Sequence, residues 1–409
     1  MKFDTGDTAF MLLAAGLVML MTPGLAFFYG GLVGRKNVLA IMMQSFVSIG
    51  ITTVLWITVG YSMCFSGSYG HGDFHGIIGN FNNVFLHGIT PTTALAGNGT
   101  IPVLVYFAYQ MMFAIITPAL ITGAFANRVN FKAYLIFLIA WLLFVYFPIV
   151  HMVWGGGYLN HIGVLDFAGG IGVHLSAGMA ALGAVFFVGK RKVEDIGPHN
   201  IPLVALGTVL LWFGWYGFNA GSELKVDGIT GLAFVNTDIA ASFAAVVWLF
   251  LAWAFEKKPK MVGLLTGAVA GLVTITPCAG YVSTTSAIFI GCISSVVCYC
   301  AVHIQNKLGW WDDALDVWAV HGVGGLLGTI CLGIFASLAS NAAGANGLLL
   351  GNTSFFIKQT VAALVMSVYA FGFTFVMLKV INLFTPVSVT DEHQESGLDE
   401  ALHGEVAYA

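Results

Sequence analysis

The stretch DFAGGIGVHLSAGMAALG, residues 166–183, sets a carboxylate and an imidazole in a run otherwise built of glycine and aliphatic residues. Asp166 opens it, His174 lies eight residues on, and the remainder is apolar. Outward from here the chain is of one kind. Of its 409 residues, 58% are hydrophobic and 8% charged, with 33 Phe and a mean hydropathy of +0.89. A soluble domain carries about 25% charged residues, so this chain has too few to cover a surface facing water. Apolar runs of roughly 20 residues, the length that crosses ~30 Å of hydrocarbon, recur from end to end. The composition defines an all-α polytopic membrane protein. A net charge of −4 argues against nucleic acid as a partner.

Eleven spans are expected: 8–33, 39–65, 101–126, 132–150, 164–189, 201–221, 234–255, 261–281, 284–304, 316–338 and 355–384. The first follows Asp4 and Asp7 directly, without the basic region and cleavage site of a secretory signal, and is expected to be retained. Basic residues cluster in alternate turns: Arg35 and Lys36; Arg128 and Lys132; Lys190, Arg191 and Lys192; Lys257, Lys258 and Lys260; Lys307; and Lys379. Twelve of the fifteen Lys and Arg thus share one side, leaving Lys2, Lys225 and Lys358 on the other. Positive charge marks the cytoplasmic side. The N-terminus is therefore expected outside and the C-terminus inside, in a cell (inner) membrane, and the alternation supports the odd number of spans.

Residues 1–385 are read as one transmembrane domain, and the acidic tail 386–409 as a cytoplasmic segment. Two pseudo-repeats, about 1–195 and 196–340, precede a final helix at about 355–384. Each repeat holds five spans, an odd number, so the two have opposite topology. His174 with Gly178 after Asp166 in span five matches His321 with Gly325 after Asp316 in span ten. Inverted repeats place a functional site near the midplane, at their interface. The six cysteines (Cys64, Cys278, Cys292, Cys298, Cys300, Cys331) lie in or beside apolar segments and read as buried structural thiols. The polar loop 66–100 contains HGDFHG, whose His71, Asp73 and His75 are a weak metal pattern; no metal or cofactor is expected.

Asp166 is expected to cap its helix, accepting bonds from the first amides. His174 lies about 12 Å deeper and some 80° around the axis, so the two need not touch. His321 enters from the opposite end. A lone buried histidine is usually a core residue, but intramembrane ionisable groups at matching places in opposed repeats mark a pathway. Neutral imidazoles offer a donor and an acceptor to a small polar solute without a fixed charge. Aromatic residues gather near the outer mouth: Trp154 in VWGGGYLNHIG, Tyr109 and Phe113 in YQMMF, and Trp215, Phe218 and Ser222 at the end of span six. Trp154 alone reads equally as an interfacial belt residue. Together with the rings and a hydroxyl it makes a nest for a small cation through cation–π attraction. The 51 glycines permit close helix approach and a narrow pore.

At these residues the chain resembles the Amt/Mep/Rh family of ammonium transporters. DFAGGIGVH (166–174), FFYGGLVGRKN (27–37), WFGWYGFNAGS (212–222), DVWAVHGVGG (316–325) and GLDEALHGEVAY (397–408) are similar to family motifs in the same order. The resemblance implies a homotrimer with one pore per subunit, carrying ammonium or ammonia, with methylammonium as an analogue. It implies an external ammonium site at Trp154, Phe113 and Ser222, with Tyr109 lining the vestibule and Asp166 supporting recruitment. It further implies a phenyl gate of Phe113 and Phe218, and a pore lined by His174, His321 and Trp215. A PII-type regulatory protein is the implied partner at the cytoplasmic face, and membrane lipid the surroundings. Having both Trp154 and Ser222 favours the Amt branch over the Rh branch. Asp238 in FVNTDIAAS departs from the pattern, as a lipid-interface or subunit-contact residue.

Three rival readings differ in class. An ammonium sensor would use the same site to signal to a cytoplasmic partner; no kinase or cyclase follows the last span in these 409 residues. A sodium-coupled symporter would need unwound helices offering carbonyls to Na⁺, and no clear mid-helix break is expected. A membrane enzyme has no support, since HExxH and GxSxG are absent from the sequence.

Overall fold

Backbone polar groups inside hydrocarbon must find partners within the chain, and a helix satisfies them locally. The computed structural model describes residues 3–97, 99–193 and 197–408, and among these it is helical with only isolated β-bridges. Ten helices are long and apolar enough to cross a membrane: α1 Thr5–Leu32, α2 Val38–Phe65, α3 Val103–Ile121, α4 Phe131–His161, α5 Gly170–Val188, α6 Ile201–Glu223, α7 Gly228–Glu256, α9 Thr284–Leu308, α10 Trp318–Phe335 and α11 Thr353–Asn382. The shorter apolar helix α8, Met261–Ile275, completes the eleven. Lys2, Ala409 at the end of the tail, and the expected join between the halves at 195 and 196 lie outside the described residues.

Several boundaries differ from the sequence reading for one reason: the chain is broken where side chains can satisfy it. Span five was expected to be helical from 164, but the stretch 162–169 is irregular and α5 begins at Gly170 with a π-turn, Gly170–Leu175. Span eight was expected to reach 281; its helix stops at Ile275, and 276–282 is a buried turn. A second π-turn, Trp318–Gly322, opens α10. The thiols are corrected too. Cys64, Cys278, Cys298 and Cys331 are buried, but Cys292 is half-buried and Cys300 exposed, on the face of α9 turned away from the bundle.

The basic turns and the tail meet on one face. Arg191 binds Asp312 through Nε (2.9 Å) and Nη2 (2.8 Å), and buried Arg128 approaches the same carboxylate at 3.5 Å. Burial would raise the Asp312 carboxyl, yet the Arg191 bonds and the Arg128 charge hold it below its usual range. Burial brings the Arg128 guanidinium down to about 10, opposed by Asp312. The tail is stitched onto this face of its own chain. Asn130 N–H donates to Val387 O (2.8 Å), Val389 N–H to Arg128 O (2.9 Å), and Leu398 N–H to Asn37 Oδ1 (2.9 Å). Asp399 accepts from Ala40 N–H at the start of α2 (2.8 Å), where a carboxylate complements the helix dipole.

On the opposite face, Asp73 leaves the loop 66–100 to meet His151 Nε2 at 3.1 Å, while His151 Nδ1 lies 2.8 Å from Cys64 O. His71 and His75 stay exposed. The described residues contain no group of His, Cys, Asp or Glu arranged for a metal. Asp238 accepts from the Tyr216 hydroxyl at 2.6 Å, across α6 and α7.

Candidate functional site

Asp166 organises the entry. Its Oδ1 accepts from the N–H groups of Gly169 (2.8 Å) and Gly170 (2.7 Å), and its Oδ2 from those of Ile171 (2.8 Å) and Gly172 (3.0 Å). Four donors of a helix start are thus met by one carboxylate. Its backbone carbonyl accepts from Trp154 Nε1 at 2.8 Å. A similar device precedes His321. Asp313, eight residues before His321 as Asp166 is before His174, accepts from Trp318 N–H at 2.6 Å. Burial raises the Asp313 carboxyl to about 6, against the amides of Trp318 and Val317. Asp316, which the sequence reading paired with Asp166, instead approaches Gln305 Nε2 at 3.3 Å. Its spacing from His321 is five, so it does not reach the amides at the head of α10.

Trp154 is half-buried in a basin of about 1070 Å³ on the face opposite the basic turns. Phe113 meets its ring edge-on, centroids 6.0 Å apart and planes at 87°. Beneath, Phe113 and Phe218 stack at 4.2 Å and are both buried. Ser222 donates to Phe218 O (2.9 Å), and Tyr109 donates to the same carbonyl (2.7 Å) with its hydroxyl 3.2 Å from Ser222 Oγ. Tyr109 is fully buried, so it stands behind the mouth as its brace.

Below the phenyl pair, His174 stacks on Trp215 (5.2 Å) and on Phe218 (5.9 Å). Trp215 therefore lies at the level of the histidines and not at the mouth, because it precedes Phe218 by nearly a full helical turn. Its Nε1 donates to Thr276 Oγ1 at 2.9 Å. His174 Nδ1 and His321 Nδ1 are 3.3 Å apart. A hydrogen bond between two like nitrogens needs one N–H and one bare lone pair, so the two imidazoles share a single proton there. Val173, His174, Trp215, Phe218 and His321 line a chamber of about 10 Å³, room for about one small molecule. His321 also borders a cavity of about 260 Å³ that reaches Asp316 and Arg191 on the basic face.

The histidines meet because two glycines let the backbones touch. A Cβ on Gly178 would lie 2.0 Å from Gly322 N, and one on Gly325 would lie 2.6 Å from Leu175 N. Each glycine, four residues past its own histidine, packs on the backbone just after the other's.

The arrangement is an aromatic basin, a stacked phenyl pair and a paired-imidazole chamber in series. The chain matches the Ammonium Transporter Family over residues 9–408. It is 45% identical over 404 residues to the "Ammonium transporter" of Bacillus subtilis, covering 98% of each chain. The crystal structure of Candida albicans Mep2 superposes with a TM-score of 0.88 at 32% identity, covering 96% of this chain and 88% of that one. A structure described as "Sensor Amt Protein" does so with a TM-score of 0.88 at 30% identity, covering 97% and 98%. The chain belongs to the ammonium transporter family. It is an ammonium transporter by descent, not an enzyme.

Sequence reasoning missed Gln359, Thr276, His151 and the capping role of Asp313. The signal for Asp313 was present, since the eight-residue spacing to a histidine occurs twice. Gln359 and Thr276 were visible only as polar residues within apolar segments.

Proposed function

We propose that ammonium is recruited at Trp154, Phe113 and Ser222, loses its proton near the Phe113–Phe218 gate, and crosses the His174–His321 pair as ammonia. The supporting observation is a continuous series: Trp154 of the outer basin meets Phe113, Phe113 stacks on Phe218, Phe218 lines the histidine chamber, and His321 lines both that chamber and the basic-face cavity. A low-dielectric gate disfavours the charged form of a bound amine, and the imidazole pair beyond it offers hydrogen bonds without a net charge. In this reading Asp166 supports the outer site, Tyr109 braces it, and Trp215 walls the chamber.

The wider assembly belongs to the same proposal: a homotrimer in the cell membrane, N-terminus outside and C-terminus in the cytoplasm, each subunit built of two inverted five-helix repeats and a final helix. Supporting the repeats are the reciprocal Gly178 and Gly325 contacts and the two π-turns that carry the histidines. An ammonium jump on liposomes fused to a solid-supported membrane tests transport. A sustained current is expected. A brief binding transient alone would favour a sensor, the reading to which the likeness to the "Sensor Amt Protein" gives weight.

Trp154→Leu is expected to raise the half-saturating ammonium concentration with the fold intact. Cation–π contacts are worth about 0.5–2 kcal/mol, roughly a 2- to 30-fold change. Unchanged concentration dependence would reduce Trp154 to an interfacial residue.

The tail is the proposed coupling element for neighbouring subunits and for a PII-type regulator. Deleting the residues after Pro386 removes its bonds to Asn37, Ala40, Arg128 and Asn130. Reduced or unregulated transport from an assembled trimer is expected. Full, normally regulated uptake by the truncated protein would refute the role.

A further inference from the structure

The last helix gives no residue to the proposed path, yet one of its side chains grips the segment whose backbone holds the path's first ring. Gln359, in the second turn of α11, is fully buried. Its Nε2 donates to Leu165 O at 2.8 Å, and its Oε1 accepts from Leu165 N–H at 2.8 Å. This side chain exchanges two bonds with one residue as neighbouring antiparallel strands do. The need is local. Residues 162–169 are irregular and largely buried, and non-helical backbone at membrane depth survives only where the protein satisfies it. A glutamine amide in a membrane helix is itself costly unless both its ends are bonded.

Leu165 adjoins Asp166, whose carbonyl holds the Trp154 indole. On the other flank, Phe167 N–H donates to Pro277 O at 3.2 Å. Asp166 is therefore suspended between two pinned neighbours, one tied to α11 and one to the turn after α8. The direction of its carbonyl, and with it the attitude of the indole, follows from those two ties.

We propose that Gln359 is a positioning residue for the outer cation site: through Leu165 it fixes the carbonyl that orients Trp154. The proposal rests on the reading of Trp154 as the recruitment ring. Its rival is a purely structural glutamine that holds α11 against the bundle. Half-saturating ammonium concentration and maximal current separate the two, because misorienting the mouth ring moves the first, whereas a weakened fold lowers only the second.

Purified wild-type, Gln359→Met, Trp154→Leu and double-variant proteins are compared in liposomes on a solid-supported membrane, with assembly checked by gel filtration. Gln359→Met is expected to raise the half-saturating concentration roughly two- to tenfold, within the effect of losing the Trp154 cation–π contact altogether. Maximal current per assembled protein should be retained. The double variant should be no worse than Trp154→Leu alone, since both changes act through one ring. An unchanged half-saturating concentration in Gln359→Met, or effects that multiply in the double variant, would overturn the proposal while leaving the recruitment reading standing. If Trp154→Leu itself changes nothing, the recruitment reading falls and takes the proposal with it. Should Gln359→Met not assemble, Gln359→Glu keeps the length and the acceptor for Leu165 N–H but loses the donor, and the same comparison applies. Failure of both variants to assemble would assign Gln359 the structural role and overturn the proposal.

Discussion

Liposomes carrying His174→Asp protein are expected to leak K⁺, whereas those carrying the wild-type protein are expected to exclude it. In the wild type, His174 and His321 share one proton across 3.3 Å and present no net charge to the chamber. K⁺ resembles ammonium in size but cannot shed a proton, so it would have to enter this buried space as a bare ion, at a cost of several kcal/mol even after relaxation. An aspartate there reverses the balance. An unpaired carboxylate among Trp215, Phe218 and His321 lowers its own energy by drawing in an intact cation. The expected protein is assembled, conducts K⁺, and has altered methylammonium uptake. K⁺ and methylammonium fluxes, measured together in the same liposomes, decide it. An assembled His174→Asp protein that still excludes K⁺ and transports ammonium as before would make His174 an ordinary core residue.

The second large effect is on folding. Asp166→Ala removes the acceptor for four buried N–H groups at once. Each unsatisfied buried group costs about 1–3 kcal/mol, so the sum is comparable to the 5–15 kcal/mol margin typical of a folded protein. Loss of assembled protein is expected, seen as collapse of the gel-filtration peak and a much lower melting temperature. Asp166→Asn keeps one acceptor oxygen but turns an NH₂ group toward two of the amides, and should fall between the two. A normally assembled Asp166→Ala protein would mean that the amides find other acceptors and that the carboxylate does not organise the segment.

The two variants at one stretch of eighteen residues are therefore expected to fail in different ways. The cap was legible in the sequence, because a carboxylate at the start of an apolar run meets free helix amides, and so was the approach of His174 to His321, from their matching places in the chain. The helices were legible for a similar reason. Runs such as α3 and α11 need only length and apolarity, and both lie where the sequence reading expected them. Less legible were the places where helix gives way. Whether 162–169 and 276–282 continue as helix depends on side chains that arrive from elsewhere in the chain to satisfy the backbone, Gln359 and Trp154 for the first and Asn236, through Ala279 O and Val282 O, for the second. Local pattern cannot register a partner 194 residues away. The same limit misplaced Trp215 at the mouth, and it hid the occupation of Asp73 by His151 inside a loop that looked like a metal motif.

The reciprocal glycine contacts bear on how fast such a protein can work and on what sets its pace. With Gly178 and Gly325 seated against opposing backbone, the centre of the molecule is a single locked piece. A cycle that rocked these backbones apart, to expose the chamber to one side and then the other, would have to break both contacts. What remains free to move is small: the Phe113 and Phe218 rings and the solute itself. Ring and side-chain displacements are far quicker than the microsecond-to-millisecond swings of whole domains. On the proposed path, the speed of passage would then be set by desolvation and proton release at a stationary opening, as in a selective conduit held in a rigid frame.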